Sequence, residues 1–146
     1  MKKILLILML GCFLGVSAHA QLRDIPAAVT NAFHDKFPGA TDVSWKDHGT
    51  NFQAEFKMNG TDYEADFNKK GMLKRTEKTI SYEALPDAVK TAFTASKYSS
   101  WERGSVAEVS DHDHALRYRI FVEKNTIQKK FIYFDKNGKL VKTGNI

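Results

Sequence analysis

The stretch IPAAVTNAF at residues 25–33 returns almost unchanged as LPDAVKTAF at residues 85–93. A repeat at a fixed distance of sixty residues indicates that one structural unit occurs twice in the chain. Repeat one then spans about residues 24–80 and repeat two about residues 84–146. A unit of this size is marginal alone, so we expect residues 21–146 to form a single domain with a shared core.

Each copy begins with a predicted amphipathic helix. Apolar residues recur at helical spacing, and a proline, Pro26 or Pro86, stands where the first turn of a helix tolerates one. The first helix is expected to end at residues 38–39, a Pro-Gly pair. The second is expected to end near Ser99 and Ser100, whose hydroxyl groups compete for backbone hydrogen bonds.

Segments that alternate between polar and apolar residues follow each helix. In repeat one, residues 52–56 and 61–67 alternate strictly, and the Asn-Gly pair at residues 59–60 between them is a strong hairpin signal. With residues 42–46 and 72–79, they give a helix followed by four antiparallel strands. Glu55, Glu64 and Asp66 fall on the outward side, where we interpret them as cross-strand surface charges rather than catalytic carboxylates.

Repeat two follows the same plan with longer segments. Its strands are predicted at residues 106–109, 115–124, 127–134 and 139–142. Seven additional residues are expected in a surface loop around residues 110–114, since loops lengthen at little entropic cost. Helices beside a run of antiparallel strands predict an α+β fold with both helices on one face of the sheet. The other face should meet water or a partner.

The amino terminus has the layout of a secretory signal peptide. Two lysines, an apolar run at residues 4–16 and small residues at Ala18 and Ala20 predict removal of residues 1–20 after Ala20. We therefore expect a periplasmic or secreted protein without an integral membrane anchor, because the apolar run is short for a membrane span. Acylation at Cys12, as in a lipoprotein, is the alternative. Cys12 is the only cysteine, so the exported chain has no disulfide.

The charge is mildly positive and unevenly distributed. The net charge of the chain is +5, and most of the excess of lysine and arginine lies in repeat two. The interpretation we favour is a solvated, lysine-rich face, with an acidic partner or an anionic surface as the alternative. No basic run has the length typical of a nucleic-acid interface, so we expect no nucleic-acid partner.

The cluster at residues 111–114, Asp-His-Asp-His, is the one candidate metal site. His112 and His114 could share an ion if the segment is extended, but a further ligand such as His34 or His48 would be needed. We interpret the cluster as a solvated loop, with metal binding as the alternative. The sequence contains no nucleophile elbow, phosphate-binding loop or zinc-protease motif, so we expect no enzyme activity, no catalytic residue and no cofactor.

The strands of repeat two predict a candidate binding face. If Tyr118, Ile120 and Val122 face the helices, the alternate residues of that strand and its neighbour point away from them. Aromatic and arginine side chains are typical of interface hot spots. The predicted partner-binding residues are Arg117, Arg119, Phe121, Lys129, Phe131 and Tyr133. The alternatives are that Phe131 and Tyr133 are core residues, or that another subunit covers the face.

Four motifs carry a family resemblance. One is the repeated stretch at residues 25–33 and 85–93, and the others are FPGATDVSW at residues 37–45, YEADFNKKGML at residues 63–73 and FDKNGKL at residues 134–140. Together they resemble the beta-lactamase-inhibitor-like, PepSY-like family of exported bacterial proteins. Repeat two departs from the pattern at residues 97–101, where KYSSW stands in place of the Phe-Pro-Gly-Ala turn. The resemblance implies tandem helix-plus-four-strand repeats that form one curved sheet of eight strands. Inhibitory proteins of similar architecture grip an enzyme on the concave sheet face.

Together these features predict an exported, non-enzymatic binding protein. Its partner would be an unidentified protein or peptide of the cell envelope, held or inhibited through the open face of the sheet. The resemblance carries over no binding residue, so inhibition rests on the fold alone. The alternative is an envelope module that binds a small molecule or a metal.

Overall fold

The computed structural model describes residues 24–113 and 115–145 of the chain. The helices are α1 (Ala27–Lys36) and α2 (Asp87–Thr94). The strands are β1 (Thr41–Asp47), β2 (Asn51–Met58), β3 (Thr61–Asn68), β4 (Leu73–Ile80), β5 (Glu102–Asp111), β6 (Leu116–Glu123), β7 (Lys129–Asp135) and β8 (Leu140–Asn145). The predicted signal peptide, its cleavage after Ala20 and the alternative at Cys12 lie outside the described residues.

Each strand pairs with the next one along the chain, always antiparallel, so the sheet runs from β1 to β8 without a crossover. The predicted α+β fold with one antiparallel sheet of eight strands is confirmed. The order of a helix and four strands occurs twice, which supports the tandem repeat predicted from the sequence.

Both helices begin directly after the predicted prolines. The carbonyl oxygens of Pro26 and Pro86 accept hydrogen bonds from the third residue along, at 2.8 and 2.9 Å, and neither proline needs a donor there. Helix α1 ends at Lys36, two residues before the predicted stop at residues 38–39. Helix α2 ends at Thr94, earlier than the predicted serines, because the hydroxyl of Ser96 accepts the N–H of Tyr98 at 3.2 Å and favours a turn.

The seven additional residues of repeat two are not confined to one loop. The expectation of an insertion around residues 110–114 is wrong in part. Strand β5 is longer than β1, and the hairpin between β6 and β7 is longer than the tight Asn59-Gly60 turn between β2 and β3. The added length is thus divided between a strand and a hairpin.

The register places both helices on one face of the sheet. Tyr118, Ile120 and Val122 are buried against α2, as the sequence predicts, and the register sets Ile132 and Phe134 beside them. The alternative in which Phe131 and Tyr133 are core residues is therefore wrong. Because residues opposite each other in paired strands lie on the same face, the helix side of the sheet can be followed through β5 and β4 to β3. There Ala65 and Phe67 pack against α1.

The buried apolar side chains form two clusters, one under each helix, rather than the single shared core expected from the sequence. Polar pairs cause the division. On the helix side of the β4–β5 seam, Thr76 lies opposite Ser110 and Lys78 lies opposite Glu108. The one apolar pair on this side of the seam, Ile80 opposite Val106, packs within the cluster under α2. The two halves are joined by the backbone ladder between β4 and β5.

A glycine turn locks each helix onto its own half of the sheet. Gly71 and Gly138 have positive φ angles of 77° and 81°. A Cβ at either position would come within 2.2 or 2.3 Å of a carbonyl oxygen of the neighbouring helix, that of Ala28 or Ala88. Only glycine fits such an approach without moving the backbone. The two contacts are equivalent, which supports the predicted duplication.

Candidate functional site

The sheet face opposite the helices, called the open face below, carries the candidate site. Neither α1 nor α2 contacts it, because both pack against the opposite side of the pleated sheet. Alternation brings β4, β5, β6 and β7 together at its centre. Ala107 and Val109 of β5 are buried there although no helix covers them, so side chains of the face itself must cover them.

Glu77 of β4 is the buried charge at the centre of the open face, with only 3% of its surface exposed. Its Oε1 lies 2.7 Å from Nη2 of Arg75, and its Oε2 lies 2.9 Å from Nη2 of Arg119. Neither contact has the alignment of a good hydrogen bond, so both are ion pairs. Arg75 is also held from the other side, since its Nε donates to Asp66 at 3.1 Å.

The ionisation of Glu77 reflects two opposing effects. Burial raises the pKa of its carboxyl above the ordinary value of 4.5, because removal from water penalises the charged form. The guanidinium groups of Arg75 and Arg119 act against this effect. Both arginines therefore favour the charged form of a carboxyl group whose charged form burial disfavours.

Arg119 joins this ion-pair network to a group of aromatic rings. Its guanidinium carbon lies 4.4 Å from the centre of the Phe131 ring, within the range of a cation–π contact. The rings of Phe131 and Phe121 follow at 5.6 Å, tilted by 57°. Phe121 lies against Gly104 of β5, where a Cβ would come within 2.4 Å of the ring. The side chain of Arg119 is only 12% exposed, with Glu77 on one side and the ring of Phe131 on the other.

The structure places all six predicted partner-binding residues on the open face. Phe121 lies opposite Phe131 and Arg119 lies opposite Tyr133 in the β6–β7 register. Each of the six is half-buried. We call Arg119, Phe121, Phe131 and Tyr133 the aromatic–arginine cluster.

Two of the six are held by carboxylates at the margin of the cluster. Arg117 pairs with Asp111 and lies 3.8 Å from Asp113, and Lys129 pairs with Glu123 at 3.0 Å. The charges of Arg117 and Lys129 are therefore partly neutralised within the protein, which leaves the aromatic rings as the part of the cluster without a charged neighbour of this kind.

The half of the open face formed by the first strands is acidic. A depression of 310 Å³ lies there, lined by Asp42, Glu55, Asp62, Glu64, Glu77 and Arg119 among others. Glu55 pairs with Lys46 and Asp62 pairs with Lys57, so these are cross-strand surface charges, as the sequence predicts for Glu55. The two halves of the face thus differ in chemistry.

The family assignment follows from a sequence match over most of the sheet. The family model described as "Putative beta-lactamase-inhibitor-like, PepSY-like" matches residues 50–142. The chain belongs to this PepSY-like family. The resemblance seen in the sequence motifs is thereby confirmed. No curated protein is significantly similar in sequence to the PepSY-like chain.

Solved structures of Bacteroides proteins share the fold. A protein of Bacteroides eggerthii described as one of the "putative periplasmic proteins" is 27% identical with a TM-score of 0.75, over 83% of this chain and 88% of that one. A DUF2874 family protein of Bacteroides uniformis gives the same identity and TM-score over 82% and 88%. A BLIP-like protein of Bacteroides fragilis is 25% identical with a TM-score of 0.74, over 86% and 89%.

The candidate metal cluster contributes little to the PepSY-like chain's open face. Both carboxylates of the cluster, Asp111 and Asp113, contact Arg117, and His112 is exposed in the turn after β5. His114 lies outside the described residues. Within residues 24–113 and 115–145, no three His, Cys, Asp or Glu side chains lie where they could hold one ion. Metal binding by His112 and His114 stays a prediction.

Sequence reasoning missed Glu77 and Arg75. Residues 74–79 of β4 are all polar, so the sequence shows no alternation that would assign Arg75 and Glu77 to a face. What the sequence lacked was any sign that Glu77 is buried, because its second partner, Arg119, comes from a distant strand.

In the part of the PepSY-like chain that the structure describes, no helix is long and apolar enough to cross a membrane.

Proposed function

We propose that the chain is an exported, non-enzymatic protein that holds another protein or a peptide of the cell envelope against its open face. Membership of a family described as beta-lactamase-inhibitor-like supports a binding role over a catalytic one. The similarity to a Bacteroides protein described as periplasmic supports action outside the cytoplasm, in line with the predicted signal peptide.

The aromatic–arginine cluster is the observation that carries this proposal. Its rings are half-buried on a face that neither helix covers, and an arginine lies stacked against them. A few residues carry most of the binding energy of a protein interface, and tryptophan, tyrosine and arginine are enriched among them. Because Glu77 and Phe131 already fix Arg119, little side-chain entropy would be lost on binding. The cluster is thus preorganised for a partner.

Inhibition of an enzyme is the finer form of the proposal. The BLIP-like neighbour and the family description both associate this fold with beta-lactamase inhibition. An inhibitor needs no catalytic group of its own and needs only a surface that occludes an active site. Purified protein mixed with envelope beta-lactamases should therefore slow the hydrolysis of a chromogenic cephalosporin if its target is of that class.

Site-directed photo-crosslinking in the native envelope tests the binding face. A benzoylphenylalanine in place of Tyr133 should give one discrete adduct. The matched control places it at Leu116, which lies on the same pair of strands but on the helix side, where 43% of its surface is exposed. Phe121→Ser and Phe131→Ser together should abolish the adduct formed at Tyr133 while the fold is retained by circular dichroism.

Three outcomes contradict the proposal. Equal adducts from Tyr133 and Leu116 indicate random contact, and no adduct from Tyr133 indicates an unoccupied face. An adduct that survives loss of both phenylalanines places the partner elsewhere.

A further inference from the structure

A second candidate surface lies at one end of the sheet, on the side of the helices. It is a cleft of 660 Å³ between the turn that follows α2 and the hairpin that joins β6 to β7. Four lysines, two aromatic rings and an isoleucine line it. These are Lys97, Lys124, Lys129, Lys130, Tyr98, Trp101 and Ile127. We call this surface the basic end.

The charge of the basic end is largely uncompensated. No carboxylate of the described residues lines the cleft. Lys129 reaches the cleft from the open face and pairs there with Glu123, so the charge of the basic end comes from the other three lysines. Lys97 lies 5.3 Å from the centre of the Tyr98 ring, and within the described chain neither Lys97 nor Lys124 forms an ion pair with a carboxylate. The cleft is therefore suited to anionic groups.

Ile127 protrudes from the tip of this hairpin with 89% of its surface exposed. The turn that carries it is ordered by Asn125, whose side-chain oxygen accepts the N–H groups of Ile127 at 3.0 Å and Gln128 at 2.8 Å. A structured turn thus holds the most exposed large apolar side chain of the described residues outward. Trp101, half-buried, lies beside the same cleft.

Lysines surrounding a protruding apolar residue and a tryptophan are typical of surfaces that rest on a membrane. Lysines are attracted to anionic headgroups, while apolar and indole side chains enter the boundary between headgroups and acyl chains. A soluble anion would use the lysines but would have no use for an isoleucine held into solvent. The combination favours a lipid surface as the occupant.

We propose that the basic end docks the protein peripherally on an anionic phospholipid bilayer. Lys97, Lys124 and Lys130 contact lipid phosphates, and Ile127 enters the headgroup region. The open face lies on the other side of the sheet, so a partner could bind it while the protein is docked. Docking is thus independent of the proposed partner function.

Co-sedimentation with vesicles tests the proposal. The purified exported chain, residues 21–146, should sediment with phosphatidylcholine vesicles that contain phosphatidylglycerol, should remain in solution with phosphatidylcholine alone, and should be released as sodium chloride is added. Lys97→Ala with Lys124→Ala should lower the partition coefficient roughly 25-fold, since each lysine near such a surface contributes about 1 kcal/mol. Ile127→Ser should lower it about tenfold.

The opposite end of the sheet supplies matched controls. Lys69 and Lys70 are exposed in the turn between β3 and β4, and Met72 beside them is 54% exposed. Lys69→Ala with Lys70→Ala, and Met72→Ser, should leave sedimentation within twofold of wild type, a margin smaller than the loss of one lysine contact. All variants alter exposed side chains, so their thermal midpoints should match and exclude unfolding as the cause.

Three results would overturn the inference. Equal losses from the two lysine pairs would show attraction to net charge alone. Sedimentation insensitive to phosphatidylglycerol would remove the anionic requirement. Release by inorganic phosphate that exceeds release by chloride at equal ionic strength would assign the cleft to a free phosphate instead of a lipid surface.

Discussion

At the scale of single residues, Glu77 shows what keeps the open face in shape. A carboxylate removed from water is costly, and two guanidinium groups at 2.7 and 2.9 Å offset that cost. The same contacts fix Arg119 beneath the ring of Phe131. A charge that contributes little net stability therefore positions the side chains that we propose to meet the partner.

The pH dependence of stability should reveal the protonation of Glu77. Because burial raises the folded-state pKa above the ordinary 4.5, the folded protein binds more protons than the unfolded chain between the two values. The unfolding free energy of wild type should therefore fall, relative to Glu77→Gln, as the pH rises through that interval. Below and above the interval the difference should be constant. Urea denaturation of both proteins at a series of pH values measures it, and parallel profiles throughout would contradict the effect of burial.

Arg119 should not tolerate replacement by lysine. The guanidinium contacts Glu77 and stacks on Phe131 at once, and a lysine ammonium lacks the planar surface for the second contact. Arg119→Lys should lower the unfolding free energy by roughly 1–2 kcal/mol, the usual size of a desolvated cation–π contact. The same change at Arg103, whose guanidinium carbon lies 3.7 Å from the centre of the Tyr82 ring on an exposed part of the surface, should cost less, about 0.5–1 kcal/mol. Equal losses at both positions would show that burial of Arg119 adds nothing to its contact.

At the scale of elements, the contact between each helix and a glycine turn defines the unit that the sequence repeats. Gly138→Ala should destabilise the fold by roughly 2 kcal/mol or more, because it adds a left-handed strain and a clash with the carbonyl of Ala88. Gly71→Ala should do the same through Ala28. Gly39→Ala is the control, since no atom lies within 4 Å of its Cβ and its φ is not positive. Unequal losses at the two turns, measured by urea denaturation, would argue against equivalent repeats.

Elements were predictable from the sequence wherever a local pattern decides them. The alternation in β6 and the spacing in α1 were sufficient to orient Tyr118 and to place Phe33 in the core. The end of α2 was not predictable, because the hydroxyl of Ser96 ends the helix before the serines that the sequence offers as a stop. Lysines and threonines of β4 carry no sign of which neighbour they meet, so the polar seam that divides the core could be seen only in the register.

In the candidate site too, residues placed by a local pattern could be predicted, whereas residues placed by contacts between distant strands could not. Phe121 could be assigned to the open face because it belongs to the alternating strand β6. Phe131 and Tyr133 lie in a run of four apolar residues, so the sequence left open that they are core residues, and the register excludes that alternative. Glu77 could not be assigned to the site, because its burial depends on Arg119, which chain topology brings to it across β5. Tertiary contacts of this kind leave no trace in local periodicity.

At the scale of the whole molecule, the divided core raises the question of whether the two halves unfold together. Six residue pairs between β4 and β5, from Arg75 opposite Asp111 to Ile80 opposite Val106, join the halves in one ladder. Exposing either half would leave a long edge of unpaired backbone groups on the other. We therefore expect one cooperative transition.

Each half contains one of the two tryptophans, which permits a direct test of that expectation. Trp45 packs near Phe33 and Trp101 packs near Tyr98, so Trp101→Phe and Trp45→Phe leave fluorescent reporters on the first and second halves respectively. Val29 is a fully buried residue of α1, and Val29→Ala should lower the unfolding free energy by roughly 2 kcal/mol. If the ladder couples the halves, both reporters should move to the same lower urea midpoint, as coincident probes require of a two-state protein. Movement of the Trp45 signal alone would show that the first half unfolds independently, and the sheet would then consist of two units in series.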